Sequence, residues 1–446
     1  MKLNDHPTVK HFREVQASAV ADLPQTVLDA DELRQLCLEA GADDVGFVEI
    51  DRPELAADRG DILTLLPSAT SLISFVCRMN REPIRSPARS VANVEFHRTG
   101  DHTNDVARRI VAVLERRGIR AMNPAMGFPM EMDRFPGKIW VVSHKPVAVA
   151  AGLGQMGLHR NVIHPKFGNF ILLGTIVLDR AINRYDRPLA YNPCLECKLC
   201  VTACPTGAIG ADGRFDFSAC YTHNYREFMG GFTDWVDQIA SSRSARDYRA
   251  RVSDTESASM WQSLSYGANY KAAYCLAVCP AGDDVIAPFL LDRKGFTAAV
   301  VQPLTEKVET IYVVPGSDAE AYVPAHFPRK RTKTVGNGLR PGTIADFLRS
   351  LPLVFQRGQA KHLSAIYHFT FTGEEPCQAT VRIIDQRIEV QAGHVGAGDL
   401  HIRADSRTWL EFIRKERGLL WALVRRAIRL SGSPRLLMAF GRCVPS

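Results

Sequence analysis

Cys194 to Ile209 reads CLECKLCVTACPTGAI. Four cysteines stand at x2, x2 and x3 spacings, and Pro205 follows the last of them. This is the run by which one segment wraps iron–sulfur cubanes. Cysteines three apart reach successive corners, with the backbone N–H groups between them pointing at the sulfides. Cys204 lies past a turn and is expected to serve a second cluster. A matching end is found at Cys275-x3-Cys279-Pro280, in CLAVCPAG. Cys279 is expected to close the first set with Cys194, Cys197 and Cys200. Cys204, Cys275 and Cys220 (in ACYTHNY) are left for the second. A zinc site or plain buried thiols would be the competing reading, and this spacing ending in Cys-Pro speaks against it.

One position departs from the pattern. The second half of a two-cluster site reads C-x2-C-x3-C-P, and Ala272 stands at its first cysteine. The second cluster is therefore expected to be 3Fe–4S, or 4Fe–4S with a ligand other than cysteine. Cys37 and Cys77 sit in apolar stretches and read as core residues.

The chain has 446 residues, 46% hydrophobic and 23% charged. That is enough for two to four globular domains, and it excludes disordered and fibrous classes. The longest clean apolar run, Phe170 to Leu178, has strand length, so no transmembrane segment is expected. The N-terminus is polar from its first residues and reads as cytoplasmic rather than exported. The eleven cysteines cannot all pair with one another, which favours ligand or thiol roles. Net charge is +7, and all of it lies beyond residue 400, where ten basic residues meet three acidic ones. The first 400 residues balance, so a general nucleic-acid footprint is excluded.

Alternating helix and strand patterns point to an α/β (α+β) layer fold in the N-terminal part. Helices are expected over Asp31–Ala40, stopped by Gly41, and over Asp105–Arg117. Strands are expected over Val45–Ile50, Ser71–Cys77, Ile139–Val142 and Phe170–Leu178. The boundaries expected are 1–185, 186–290 for the cysteine-bearing unit, 291–342 for a return segment and basic linker, and 343–446 for a small α+β domain. Phe327 to Pro341 (FPRKRTKTVGNGLRP) reads as a solvated, flexible connector. In the tail, a meander of His368–Thr372, Cys377–Ile384 and Arg387–Gln391 is expected, with a tight turn at Asp385-Gln386. Helices follow over Thr408–Arg414 and Leu419–Leu430.

The order of Ala151-Gly-Leu-Gly-Gln-Met-Gly157, NVIHPKFGNFILLGTIVLD and the cysteine run resembles the corrinoid-dependent iron–sulfur reductases. These comprise the epoxyqueuosine reductases and the reductive dehalogenases, and the resemblance covers roughly residues 30 to 290. It implies a nitroreductase-like core holding cobalamin, joined to a bacterial-ferredoxin-like unit with two iron–sulfur clusters. It also implies a reduced ferredoxin or flavodoxin-type electron donor and a small-molecule substrate. Gly152, Gly154 and Gly157 would let backbone approach the corrinoid, unless they merely form a tight turn. Epoxyqueuosine reductases carry V-D-[ST]-x-P-V, whose acid donates a proton. This chain has Val142-Ser143-His144-Lys145-Pro146-Val147, with Ser143 in place of the acid.

That departure favours a dehalogenase-like reduction of a hydrophobic, halogenated substrate, with His102, His144 and Lys145 as candidate proton donors. The alternatives are epoxyqueuosine reduction on tRNA and a corrinoid-free electron-transfer or lipid-binding protein.

Residues 343–446 resemble sterol-carrier-protein domains, carried by the meander, Ile402-Arg-Ala-Asp405 and Ile428-Arg-Leu-Ser-Gly-Ser433. The resemblance implies an apolar tunnel and a lipid or other apolar ligand. Trp409, Phe412, Leu419, Leu420, Trp421, Leu423 and Val424 would line the tunnel or simply form the core. Arg414, Lys415, Arg417, Arg425, Arg426 and Arg429 flank that face, as a solvated helix side or as a membrane-surface dock.

Overall fold

The computed structural model describes residues 2–18 and 27–445. Its N-terminal unit is built on an antiparallel sheet ordered Asp44–Glu49, Ser71–Arg78, Ile171–Leu178, Ala121–Met122. Both faces are covered, and the strand period of two explains how. Ile73, Phe75 and Cys77 face the helices Ala30–Ala40 and Arg89–Arg116. Leu72 points the other way, to Val142, Val147 and Ala150, the latter two on the helix His144–Ala150. Cys37 and Cys77 are fully buried core residues, as expected, and burial pushes their thiols up to about 12 and about 11.

Two N-terminal expectations need correction. Ile139–Val142 forms no strand. Its apolar residues plug the core from a coil instead, with Ile139 and Val142 both buried. The helix expected over Asp105–Arg117 begins sixteen residues earlier, at Arg89, and ends at Arg116.

The cysteine-bearing unit is helical, and the stretch 291–342 packs into it. Ile311, Val313, Ala319 and Val323 share one apolar core with Cys200 and Cys204. The basic segment is not a flexible connector. Arg331–Thr334 pairs in parallel with Thr310–Val313. The Lys330 side chain is fully buried, donating to the carbonyl of Leu304 and to Glu309 at 2.7 Å. Lys333 binds Glu256 at 2.6 Å. The charges are spent on internal partners, which a reading by composition alone does not reveal.

The C-terminal unit is a mixed five-stranded sheet ordered Arg387–Ala392, Cys377–Ile384, Ala365–Thr372, Leu400–Asp405, Ile428–Gly432. The meander and its turn are as expected, and both Asp385 (φ 51°) and Gln386 (φ 57°) are left-handed. The expected helix Leu419–Leu430 stops at Val424, and Ile428 begins an edge strand. The residues expected to line a tunnel separate. Trp409 is buried against Phe347, Phe369 and Phe371. Phe412, Leu419 and Leu423 pack on this core from its edge. Leu420, Trp421 and Val424 face outward. Leu339 and Val354 bring this unit against Tyr221 of the cysteine-bearing unit.

Candidate iron–sulfur site

The backbone turns sharply inside the cysteine motifs. Glu196 (φ 49°), Lys198 (φ 61°) and Ala273 (φ 54°) adopt the left-handed region without being glycine. Such conformations cost energy and concentrate at functional sites. They aim successive cysteines to one side. Three short helices then carry the rest: Leu199–Ala203 holds Cys200, Phe217–Asn224 holds Cys220, and Tyr274–Ala277 holds Cys275. The second of these is capped by Asp216, which accepts from the Ala219 N–H at 2.9 Å.

The seven cysteines fall into two adjacent groups. Burial pushes the Cys279 thiol up, and Cys197, Cys200 and Cys194 push it further. Cys194 also packs beside Cys279 around Ile163. Cys220 is raised by burial and then by Cys204 and Cys275. Cys275 is pushed up to about 12 by burial, with Cys204 its strongest neighbour. Cys200 feels both groups, so they lie side by side. Among the described residues, no three or more His, Cys, Asp or Glu close round a single ion. Cysteines spread over the corners of a cluster stand farther apart than ligands round one ion. Seven thiols in two such groups suit two clusters, the second of them three-cysteine. Ala272 is buried, and its N–H donates to Asn224 Oδ1 at 3.0 Å.

Lys145 and Tyr225 adjoin the second group, and Tyr270 lies beside Tyr225. Lys145 is exposed, and Tyr225 and Tyr270 are half-buried. Yet burial lowers the pKa of Lys145 and raises those of Tyr225 and Tyr270. Cys275, Cys220 and Arg160 act on Lys145, and both cysteines also act on Tyr225. The Lys145 ammonium is held by the Arg160 carbonyl at 2.8 Å and Asn161 Oδ1 at 3.1 Å. Tyr225 packs on Phe228 (4.9 Å between centroids), and Tyr270 on Phe228 and Phe96 (5.0 Å each). Among the described residues neither the Tyr225 nor the Tyr270 hydroxyl has a hydrogen-bond partner. Both phenols keep their protons at neutral pH. Sequence reasoning missed them, although Tyr225 follows Cys220 by five residues and Tyr270 precedes Ala272 by two.

The other candidates are placed elsewhere or already engaged. His102 is exposed, and its Nε2 meets the Gly41 carbonyl at 3.2 Å, closing the end of the helix Ala30–Ala40. The structure does not bring it to Lys145. His144 is buried, with Nδ1 on Thr175 Oγ1 and Nε2 on the Ala125 carbonyl, each at 2.9 Å. Burial lowers its pKa, so it is a neutral ring with both nitrogens in use.

The glycine loop is filled by the chain itself. A Cβ on Gly152 would come within 2.4 Å of the Arg187 carbonyl oxygen, and one on Gly154 within 2.5 Å of that of Ile163. One on Gly157 would meet the Ile163 side chain at 2.6 Å. In the direction a Cβ would take, each of these glycines is packed against the chain itself. The cysteine groups, by contrast, fit iron–sulfur clusters in number and chemistry.

The model of the SCP-2 sterol transfer family matches residues 353–444. The epoxyqueuosine reductase of Vibrio cholerae is 34% identical over 89 residues, 20% of this chain and 24% of that protein. The epoxyqueuosine reductase of Cellulophaga algicola is 33% identical over 103 residues, 21% of this chain and 33% of that protein. The chain thus spans only a quarter to a third of these curated relatives. A solved catabolic reductive dehalogenase is 15% identical and covers 61% of this chain and 34% of its own, with a TM-score of 0.39. Among the described residues no helix is long and apolar enough to cross a membrane. The chain joins a domain matching the SCP-2 sterol transfer family to a part related to the epoxyqueuosine reductases.

Proposed function

We propose that the protein is a two-cluster iron–sulfur oxidoreductase that reductively cleaves a small, planar, apolar substrate against the aromatic side chains beside Cys220 and Cys275. The observation that carries this reading is the meeting of the three-cysteine group with Lys145 and the unpartnered hydroxyls of Tyr225 and Tyr270. Electrons enter from a ferredoxin or flavodoxin-type donor at Cys194 and Cys197, which are half-buried beside exposed Leu195. They pass to the group of Cys204, Cys220 and Cys275. The substrate takes up two electrons and one proton. Its carbon–leaving-group bond breaks, the leaving group departs with the bonding pair as an anion, and the carbon accepts the proton.

Tyr225 holds that proton on its hydroxyl, because burial keeps the phenol neutral. Lys145 faces the departing anion. The aromatic side chains hold the substrate plane and exclude water.

The test uses anaerobically reconstituted protein, reduced viologen and a bromophenol. The wild type releases bromide. Tyr225→Phe keeps its iron and sulfide but loses bromide release by at least about 100-fold, the scale of general acid catalysis. The oxidised wild type shows a 3Fe–4S signal in electron paramagnetic resonance, which Ala272→Cys converts to 4Fe–4S. Fully loaded protein that releases no bromide sinks the substrate class. Two ordinary 4Fe–4S clusters in the wild type sink the three-cysteine assignment.

Epoxyqueuosine reduction on tRNA is the second reading, favoured by the names of the matched relatives. Ser143 in place of the acid weighs against it.

A further inference from the structure

We propose that the outward face of the helix Leu419–Val424 docks the protein on an anionic lipid bilayer. The helix is two-sided. Ala422 is fully buried, and Leu419 and Leu423 pack on the core of the C-terminal unit. The opposite side leaves Leu420 80% exposed, Val424 81% and Trp421 42%. Adjacent exposed apolar side chains of this size mark an interaction surface.

Cations ring the face. The Arg417 guanidinium lies 4.0 Å from the Trp421 ring centroid, and that of Arg425 lies 5.9 Å away. Arg426 and Arg429 follow. Glu411 is taken by Arg407 and Arg417, and Glu416 is exposed beside Arg417. Among the described residues Arg425, Arg426 and Arg429 have no carboxylate partner. The segment from His401 onward holds the chain's whole excess of positive charge, +7.

A bilayer with acidic headgroups satisfies all three features. Its acyl region takes Leu420 and Val424, its interface takes the amphipathic Trp421, and its phosphates take the arginines. A protein groove would take the apolar residues but gives no reason for the unpaired arginines around them. The same unit packs against Tyr221 through Val354. This inference does not depend on the cluster assignment.

The experiment is co-sedimentation of the full chain with phosphatidylcholine vesicles, with and without phosphatidylglycerol. Binding is expected only to the phosphatidylglycerol vesicles and should weaken as salt rises. Leu420→Glu/Val424→Glu should weaken it by at least about 100-fold, since two buried side chains are lost. Arg425→Glu/Arg429→Glu should weaken it too. All these positions are exposed, and an unchanged thermal transition establishes that the variants fold. Equal binding to neutral vesicles, no binding to either kind, or full binding by the Leu420/Val424 variant overturns the proposal. So does a dimer in solution that the same variant dissociates, which would make a second copy the occupant.

Discussion

Arg85 and Arg89 are buried cations short of partners. Nε and Nη2 of Arg85 and Nε of Arg89 have no hydrogen-bond acceptor. The one carboxylate near Arg85 is Glu82, 3.7 Å away and itself 85% exposed. Arg85 lies over the rings of Phe170 and Phe296, and Arg89 over that of Tyr274. Leaving charge buried and unpaired is costly. Negative clusters beside them would remove that cost, for Cys279 acts on Arg85 and Cys275 on Arg89. Reduction adds negative charge to a cluster, and a neighbouring cation favours it. Arg89→Gln should therefore keep iron and sulfide but make the midpoint potential of the second cluster more negative, with Arg89→Lys restoring it in part. Arg85→Gln should act on the first cluster. Redox titration followed by electron paramagnetic resonance separates the two, and unchanged potentials in both variants refute the pairing. At this scale the cysteines were legible because ligand spacing is local. Tyr225 and Tyr270 were not, because a phenol acquires its role only from what the fold brings against it.

The loop from Ala151 to Gly157 shows how far an element can be read. Its glycines announce close approach, and what approaches is the chain's own short hairpin Gln155–Met156 with Val162–Ile163. Gly154→Ala should therefore destabilise the protein by about 1–3 kcal/mol, the usual cost of overpacking. Thermal unfolding of the cofactor-free protein measures this. Unchanged stability together with lost cofactor binding would return the loop to a ligand role. Strands such as Ser71–Arg78 were legible because both of their faces are buried and their apolar run is long. Ile139–Val142 has the same composition but no strand to pair with, and pairing is not written in a segment. Leu419–Val424 breaks where Arg426 turns left-handed (φ 57°), although nothing in LVRRAIRL marks the stop. Lys330 and Lys333 looked solvated because their partners, Glu309 and Glu256, lie 21 and 77 residues away.

For the molecule as a whole, three units join in one chain, and their charge is divided unequally among them. Zero net charge over the first 400 residues gives that part no overall electrostatic attraction for a nucleic-acid backbone. The excess lies on the C-terminal unit, around an apolar helix face rather than a polar groove. Chemistry points the same way. Opening an epoxide produces an alkoxide, which must be protonated as it forms. Ser143, at the start of the helix His144–Ala150, stands where the related enzymes place an acid, and the neighbouring His144 is neutral with both nitrogens engaged. A halide leaves without a proton, so a site lacking that acid remains competent for dehalogenation. Expression of this chain in a cell without its own epoxyqueuosine reductase should accordingly leave queuosine absent from tRNA, and the purified protein should bind tRNA weakly at physiological salt. Queuosine restored in that cell would show that Lys145 or Tyr225 supplies the missing proton, and would make tRNA the substrate.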